Sequence, residues 1–262
     1  MLRYLRLYRS FLRFSFSRAM EFRVDFFFRV VMDLMFYITQ IGFFAVIYGH
    51  TRELGGWDFD QTLVFISGFF LVDALHMTLF ANNLWMFPFL VNKGDLDYYL
   101  LRPVSSLFFV SLREFAANSF LNLLIAMGIS AYALWSYPGA TPASQVLLYL
   151  ALIANGAFLY YILQMLFLIP VFWLHSARGL SDVFASFTKY AERPERIYQG
   201  YVRRVLVSLL PLCLIASRPA QILFEGPDFW TLVHITSVTA LFFLVLLLFW
   251  KLAVRSYSSA SS

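Results

Sequence analysis

The sequence predicts an all-α polytopic membrane protein in which six transmembrane helices follow an amphipathic N-terminal helix. The 262-residue chain is 61% hydrophobic and only 13% charged, whereas about a quarter of the residues in a soluble domain are charged. Its apolar residues form stretches of roughly 20 residues, the length at which a helix crosses about 30 Å of hydrocarbon. Lys and Arg also concentrate on one side of the resulting topology, as is typical of membrane proteins.

Residues 1–25 form the first predicted unit, an amphipathic helix on the cytoplasmic side of the membrane interface. At about 100° per residue, the arginines share one arc and the large apolar residues share the opposite arc. The basic arc contains Arg3, Arg6, Arg9 and Arg13, and the apolar arc contains Tyr4, Leu7, Phe11 and Phe14. A mitochondrial transit peptide shares the Arg and Ser bias, but Glu21, Asp25 and the direct continuation into a span argue against it.

Residues 26–254 form the predicted transmembrane domain. Five apolar stretches are long enough to span the bilayer, and they cover residues 26–48, 61–83, 107–135, 145–174 and 230–254. A sixth stretch, 205–217, is short, contains Pro211 and is followed by a second proline. We expect it to enter the membrane, kink and lead into an outer re-entrant connection over 218–229.

The basic residues indicate that both termini lie in the cytoplasm, because positively charged loops are retained on that side. In this orientation every Lys and Arg except Arg52 and Arg218 lies inside, and the tail 255–262 is cytoplasmic. The outer loops instead collect acidic residues, namely Glu53, Asp58, Asp60, Glu225 and Asp228. We therefore expect a multi-pass protein of the bacterial cytoplasmic (inner) membrane.

The cytoplasmic loop 91–104 carries the most informative pattern. Gly94 permits a sharp turn, Asp95 can cap a helix N-terminus, and Pro103 biases Arg102 away from helical geometry. The loop therefore encodes a helix of one or two turns, with one apolar face formed by Leu96, Tyr99 and Leu100. Such a helix either docks into a groove on another protein or folds back against the spans.

The same stretch, Lys-Gly-Asp-Leu-Asp-Tyr-Tyr-Leu-Leu-Arg-Pro over residues 93–103, resembles the first cytoplasmic loop of the ABC-2 type permeases, specifically the small six-span ABC transporter permease subgroup. Residues 191–198, Ala-Glu-Arg-Pro-Glu-Arg-Ile-Tyr, are similar to that subgroup as well, as are Leu-Leu-Pro at 209–211 and Arg-Pro-Ala at 218–220. The likeness covers essentially the whole chain and implies an ABC-2, type V exporter-like fold.

The resemblance implies that the first loop forms a coupling helix, which inserts into a cleft of an ATPase subunit and converts its ATP-driven closure into movement of the spans. The implied coupling residues are Gly94, Asp95, Leu96, Asp97, Tyr98, Leu100 and Arg102. It further implies that the N-terminal helix lies beside the ATPase, and that short outer helices between Pro219 and Gly226 cap the pathway. The pathway would form between this permease and a second one, identical or homologous, above two ATPase subunits.

The chain carries no Walker A motif of its own, because none of Lys93, Lys189 and Lys251 follows a glycine or precedes Ser or Thr. We therefore predict a transport subunit that is not itself an enzyme and binds no cofactor, while the partner ATPase binds ATP and Mg. The sequence shows no catalytic constellation, and its four histidines lack the spacing of a metal site. The basic residues flank apolar spans, so they indicate the membrane topology and contact with membrane lipids, and they do not indicate binding of nucleic acid.

Two further groups of residues have alternative interpretations. The mixed charges of the predicted second cytoplasmic loop, 175–204, form either a solvated surface or a second ATPase contact through Arg193, Glu195 and Arg196. The carboxyl groups of Asp33 and Asp73 lie within predicted spans and are candidate polar residues of a pathway or subunit interface. For Asp73 the alternative is a hydrogen bond to a neighbouring span, with Ser67, Thr78 or Asn82 as candidate partners.

An ATPase-independent secondary transporter or channel is the alternative function. That class typically shows repeated halves, broken helices near the midplane or several buried carboxylates. Only Asp33 and Asp73 point in that direction. An ATP-driven exporter therefore remains the leading hypothesis.

Overall fold

The computed structural model describes residues 2–19, 23–117, 119–139, 141–174 and 177–257, and this part of the chain is helical without a β-sheet. The α-helices are α1 (Leu2–Ala19), α2 (Arg23–Tyr48), α3 (Phe59–His76), α4 (Asn82–Lys93), α5 (Asp97–Leu100), α6 (Ser106–Leu112), α7 (Phe120–Ser136), α8 (Ala143–Leu168), α9 (Val171–Leu174), α10 (Ala177–Thr188), α11 (Gly200–Arg204), α12 (Ser217–Glu225) and α13 (Phe229–Ser256). Met77–Ala81 and Val205–Leu209 form π-helical turns, and Glu195–Ile197 and Leu212–Leu214 form 3₁₀ turns.

Four helical segments in the described part of the chain are long and apolar enough to cross a membrane, where the sequence predicts six. They are Val30–Tyr48, Phe59–Lys93, Ala143–Leu174 and Phe229–Ser256. The second of these joins α3 and α4 through a π-helical turn into 35 residues, a length of roughly 50 Å at 1.5 Å per residue. The predicted third and fifth spans are not single long helices.

The predicted third span, 107–135, is interrupted because polar groups of α4 and of the preceding π-helical turn pair with its backbone. The Asn83 side chain donates to the Glu114 carbonyl oxygen at 2.7 Å and accepts from the Glu114 amide at 2.9 Å. The Ala116 amide donates to the Thr78 carbonyl oxygen at 2.9 Å. These bonds replace the helical ones between α6 and α7, so the buried backbone stays paired without a continuous helix. α7 alone has 17 residues.

The predicted fifth span, 205–217, breaks at the expected proline. The helix formed by α11 and the following π-helical turn ends at Leu210, where the backbone is no longer helical (φ −120°, ψ 82°), and Pro211 follows. Proline lacks an amide donor, so the chain cannot continue as a helix. It turns through Leu212–Leu214 and then forms α12. Neither part of this segment is long enough to cross a bilayer alone.

The predicted cytoplasmic loop 175–204 does not lie as one loop at one end of the bundle. α10 packs back along α8, where the Phe184 ring contacts Tyr160 and Phe167 at centroid distances of 5.4 and 5.5 Å. Farther along the chain, Arg196 forms an ion pair with Glu225. Glu225 belongs to the segment that the charge pattern assigns to the outer side, so the structure argues against a single inner loop.

A glycine allows the interrupted chain of the predicted fifth span to pack into the core. The α8 residue Gly156 faces the backbone of Ile215, and a Cβ at position 156 would overlap with the Ile215 carbonyl oxygen. Ile215 is fully buried, like Val64 and Phe70 of α3. The close approach therefore depends on the absence of a side chain, and it holds the interrupted segment against α8.

The other end of the bundle carries α1. Tyr4 contacts Phe108 edge-on at 4.9 Å and Phe11 contacts Phe109 at 5.3 Å. The Phe115 amide donates to the Ser15 hydroxyl at 3.1 Å. α1 therefore lies along the chain that contains α6, while its arginines Arg6, Arg9 and Arg13 are exposed. α1 is helical over Leu2–Ala19, and the amphipathic interfacial helix over residues 1–25 stays a prediction.

Candidate functional site

The candidate coupling segment, defined here as Gly94–Arg102, begins with a sharp turn. Gly94 ends α4 in the left-handed region at φ 80°, which is the position that glycine adopts without strain. The Leu96 amide then donates to the Leu90 carbonyl oxygen at 3.2 Å. The expected side-chain cap from Asp95 is absent, since α5 begins without a side-chain hydrogen bond. Backbone geometry at the glycine thus fixes the start of the helix.

Two side chains anchor the coupling segment to the bundle. Leu96 is fully buried and Tyr99 is 3% exposed. The Tyr99 ring contacts Phe109 edge-on at 5.2 Å, and the Arg113 guanidinium lies over the Tyr99 ring at 5.5 Å from its centroid. The sequence assigns Leu96 to the ATPase contact set, but its burial makes it part of the packing. The alternative that the helix folds back against the bundle therefore applies to this face.

The opposite face of the coupling segment is exposed. Tyr98 is 56% exposed and Leu101 is 84% exposed, and Asp95 and Arg102 are exposed as well. The Arg102 guanidinium lies 4.2 Å from the Tyr98 ring centroid, a cation–π contact. The predicted contact set omits Leu101, although its i+3 spacing from Tyr98 places both residues on one face.

The remaining coupling residues lie between these faces. Gly94, Asp97 and Leu100 are half-buried. The end of α13 approaches the same region, because Asp97 and Asp95 act electrostatically on Tyr257. Burial, followed by these two carboxylates, raises the pKa of the Tyr257 hydroxyl. The acidic side of the coupling segment therefore faces the end of α13.

The intramembrane carboxyl groups have different environments. Asp33 accepts a hydrogen bond from the Asn122 side-chain amide of α7, so it links α2 to α7. Asp73 has no hydrogen bond within the described part of the chain. Its expected partners bond elsewhere, since the Ser67 hydroxyl donates to Val64 and the Thr78 hydroxyl donates to Ala74. The hydrogen-bond explanation for Asp73 is therefore wrong for these two partners.

A buried carboxylate organises the region of the proposed second ATPase contact. Glu195 is 2% exposed and accepts hydrogen bonds from Arg203 at 2.9 Å and from Arg218 at 2.7 Å. Its backbone amide donates to the Ser217 hydroxyl at 2.9 Å. This Glu195 network joins the chain before α11 to the start of α12.

The neighbours of this network lie far from the coupling segment. A Cβ at Gly55 would contact Arg196, and Arg193 lies over the Phe43 ring at 5.9 Å. Gly55 precedes the 35-residue Phe59–Lys93 segment and Gly94 follows it. Arg193, Glu195 and Arg196 therefore lie at or towards the end opposite to the coupling segment, which argues against a shared ATPase surface.

Glu192 lies beside the same region. Its carboxylate accepts a hydrogen bond from the Gln40 side chain at 3.0 Å. Burial raises the pKa of the Glu192 carboxyl, whereas this hydrogen bond and the charges of Lys189 and Arg193 lower it by smaller amounts. The net pKa is above the ordinary range, so the site stabilises the protonated form.

A comparison with protein families gives a match over most of the chain. The model of a family described as ABC-2 family transporter protein matches residues 34–261. This range includes the coupling segment, the Glu195 network and both interrupted segments, and it begins after α1. No curated protein and no solved structure matches the chain.

Proposed function

Because this chain belongs to the ABC-2 family of transporter proteins, we propose that it is the membrane-spanning half of an ATP-driven exporter whose ATPase is a separate protein. The chain is a permease of an ABC transporter. We further propose two ATPase subunits, a second identical or homologous permease, and a pathway between the two permeases. ATP and Mg would bind to the ATPase subunits, and the energy would enter through the coupling segment.

The observation that carries this proposal is the two-faced geometry of the coupling segment. Leu96 and Tyr99 are buried in the bundle, while Tyr98 and Leu101 project from it. These two large side chains remain largely exposed on a one-turn helix, and such a surface fits a cleft on another protein. Exposed charges of both signs, Asp95 and Arg102, would set the orientation of that partner.

The connection of this segment to the spans supports its role in transmission. A short turn that begins at Gly94 connects α4 to α5. α4 is itself joined to α3, which precedes it in the chain, through the π-helical turn. A force on α5 would therefore act on a helical segment that extends over Phe59–Lys93. Burial of Leu96 and Tyr99 keeps α5 from moving independently of the bundle.

We propose Asp73 as the polar residue of the pathway or of the contact between permeases. It is half-buried and has no hydrogen bond within the described part of the chain, and an unpaired carboxylate in lipid costs several kcal/mol. A substrate group or a second permease would provide the partner. Asp33 instead pairs with Asn122, and a structural role suits it better.

The test is co-purification from the native host membrane. The tagged wild-type chain is expected to bring down a Walker A protein that hydrolyses ATP. Charge reversal in the coupling segment, Asp95→Lys with Arg102→Glu, should lower the recovery of the ATPase about fivefold or more, since loss of central interface contacts typically costs over 1 kcal/mol. The matched control is Arg52→Glu with Glu53→Lys, an exposed pair at the other end of the bundle.

Two results would contradict the proposal. Equal recovery of the ATPase with both double variants would show that the coupling segment is not the contact. Ion-gradient-driven flux in liposomes that contain this chain alone would favour the secondary transporter or channel instead.

A further inference from the structure

A groove separates α1 from the chain that follows α5. It is open to the surface and has a volume of about 510 Å³. Its apolar floor consists of Leu7 and Phe11 of α1, together with Val104 and Phe109. A volume of this size is within the range of small-molecule sites, and an apolar floor favours a hydrocarbon group.

Two arginines border this groove, one on each side. Arg6 projects from α1 and Arg102 ends the coupling segment, and both side chains line the groove. Within the described part of the chain, neither guanidinium forms an ion pair with a carboxylate. Arg102 is held instead over the Tyr98 ring. Asp95 and Asp97 do not line the groove and lie near Tyr257, so the groove itself is positively charged.

The groove lies where the spans end. The Ser105 amide, at the start of α6, donates to the Tyr4 hydroxyl at 3.2 Å. The next residue, Ser106, accepts from the indole of Trp250 at 3.1 Å, near the end of the α13 span. Tyr and Trp with paired polar groups are typical of the depth of lipid headgroups. A ligand in the groove would therefore lie at the membrane interface.

We propose that this groove binds one anionic phospholipid. Its phosphate would lie between Arg6 and Arg102, because guanidinium groups bind phosphate through charge-assisted hydrogen bonds. The beginning of its acyl chains would cover Leu7 and Phe11. The combination of two unpaired guanidinium groups, an apolar floor and interfacial depth favours a lipid over an acidic protein segment. The lipid would connect α1 to the coupling segment.

The experiment measures lipid retention by the full-length protein in nanodiscs or detergent. Protein is equilibrated with phosphatidylglycerol or with phosphatidylcholine, and the lipid that remains bound is counted by native mass spectrometry. Wild type is expected to retain one phosphatidylglycerol in preference to phosphatidylcholine. In Arg6→Gln with Arg102→Gln, affinity should fall about 30-fold, since each arginine at the headgroups contributes a factor of about five.

The matched control removes two exposed arginines outside the groove, Arg9→Gln with Arg52→Gln, and should retain the lipid. Arg6→Lys with Arg102→Lys should restore part of the affinity if folding is intact. Equal loss in the Gln double variant and the control would indicate diffuse surface charge and overturn the site. Retention unchanged in the Gln double variant would also overturn it.

Discussion

Gly156 of α8 lies against the carbonyl group of Ile215, so closely that any side chain at position 156 would overlap with it. The contact joins a long span to the segment that breaks at Pro211. Because the overlapping atoms would belong to the backbone and not to a flexible side chain, an added side chain could be accommodated only at a large cost in folding free energy.

Gly156→Ala is therefore expected to destabilise the protein by about 1–3 kcal/mol or more, the usual cost of overpacking. Thermal unfolding of the detergent-solubilised protein measures the change. The control is Gly128→Ala in α7, where a Cβ meets no atom within 4 Å and alanine favours the helix by about 0.5–1 kcal/mol. Equal melting temperatures for the two variants would contradict the close approach.

The same change, Leu to Ala, is expected to have different effects on the two faces of the coupling segment. Leu96→Ala should lower stability by about 2–5 kcal/mol, because it leaves a cavity under α5. Leu101→Ala should leave stability nearly unchanged, since Leu101 is 84% exposed, and should weaken recovery of the ATPase. Melting temperature and co-purification separate these outcomes. A stable Leu96→Ala variant would show that this residue is not the anchor.

The Glu195 network predicts strong destabilisation when its central charge is removed. Glu195→Gln would leave Arg203 and Arg218 without their carboxylate, and breaking a buried ion pair typically costs about 3–5 kcal/mol. Because Arg203 is half-exposed, the lower end of that range is expected. Glu225→Gln is the matched control, since Glu225 is 51% exposed in its pair with Arg196 and such pairs contribute about 1 kcal/mol or less.

The environment of Glu192 predicts a pH-dependent stability. Its folded-state pKa is raised, mainly by burial, from the ordinary value of 4.5. The folded protein thus binds the proton more tightly than the unfolded chain, so the stabilisation is present below pH 4.5 and decreases as pH rises through the folded-state pKa. Unfolding measured from pH 4 to pH 8 should show this decrease in wild type relative to Glu192→Gln. A constant difference between them would contradict it.

Local sequence signals predicted the interruption of the fifth segment but not that of the third. Pro211 disfavours continuation of the helix before it, because it lacks an amide donor and its ring crowds the preceding turn. The gap between α6 and α7 instead depends on Asn83, which pairs with the Glu114 backbone from 31 positions away. No periodicity within 107–135 contains that information, so the stretch was predicted as one continuous span.

The candidate site was predictable in position and only partly in detail. Gly94 and the proline after Arg102 mark the two ends of the one-turn helix. Glycine permits the sharp turn before it, and proline biases the residue before it away from helical geometry. Which side chains face outward depends on the contact of Tyr99 with Phe109. The predicted contact set therefore combined buried Leu96 with exposed Tyr98 and omitted Leu101.

The sequence by itself determined the membrane class, the apolar stretches that form the four long spans, and the short helix between Gly94 and Pro103, because apolar length and these two residues act locally. Its prediction of six spans exceeded the four that the described part of the chain contains. Tertiary structure alone decided the rest. It brought Arg196 against Glu225, and it created the groove between α1 and the coupling segment. These features join residues far apart in the chain, and such contacts depend on packing that no local pattern encodes.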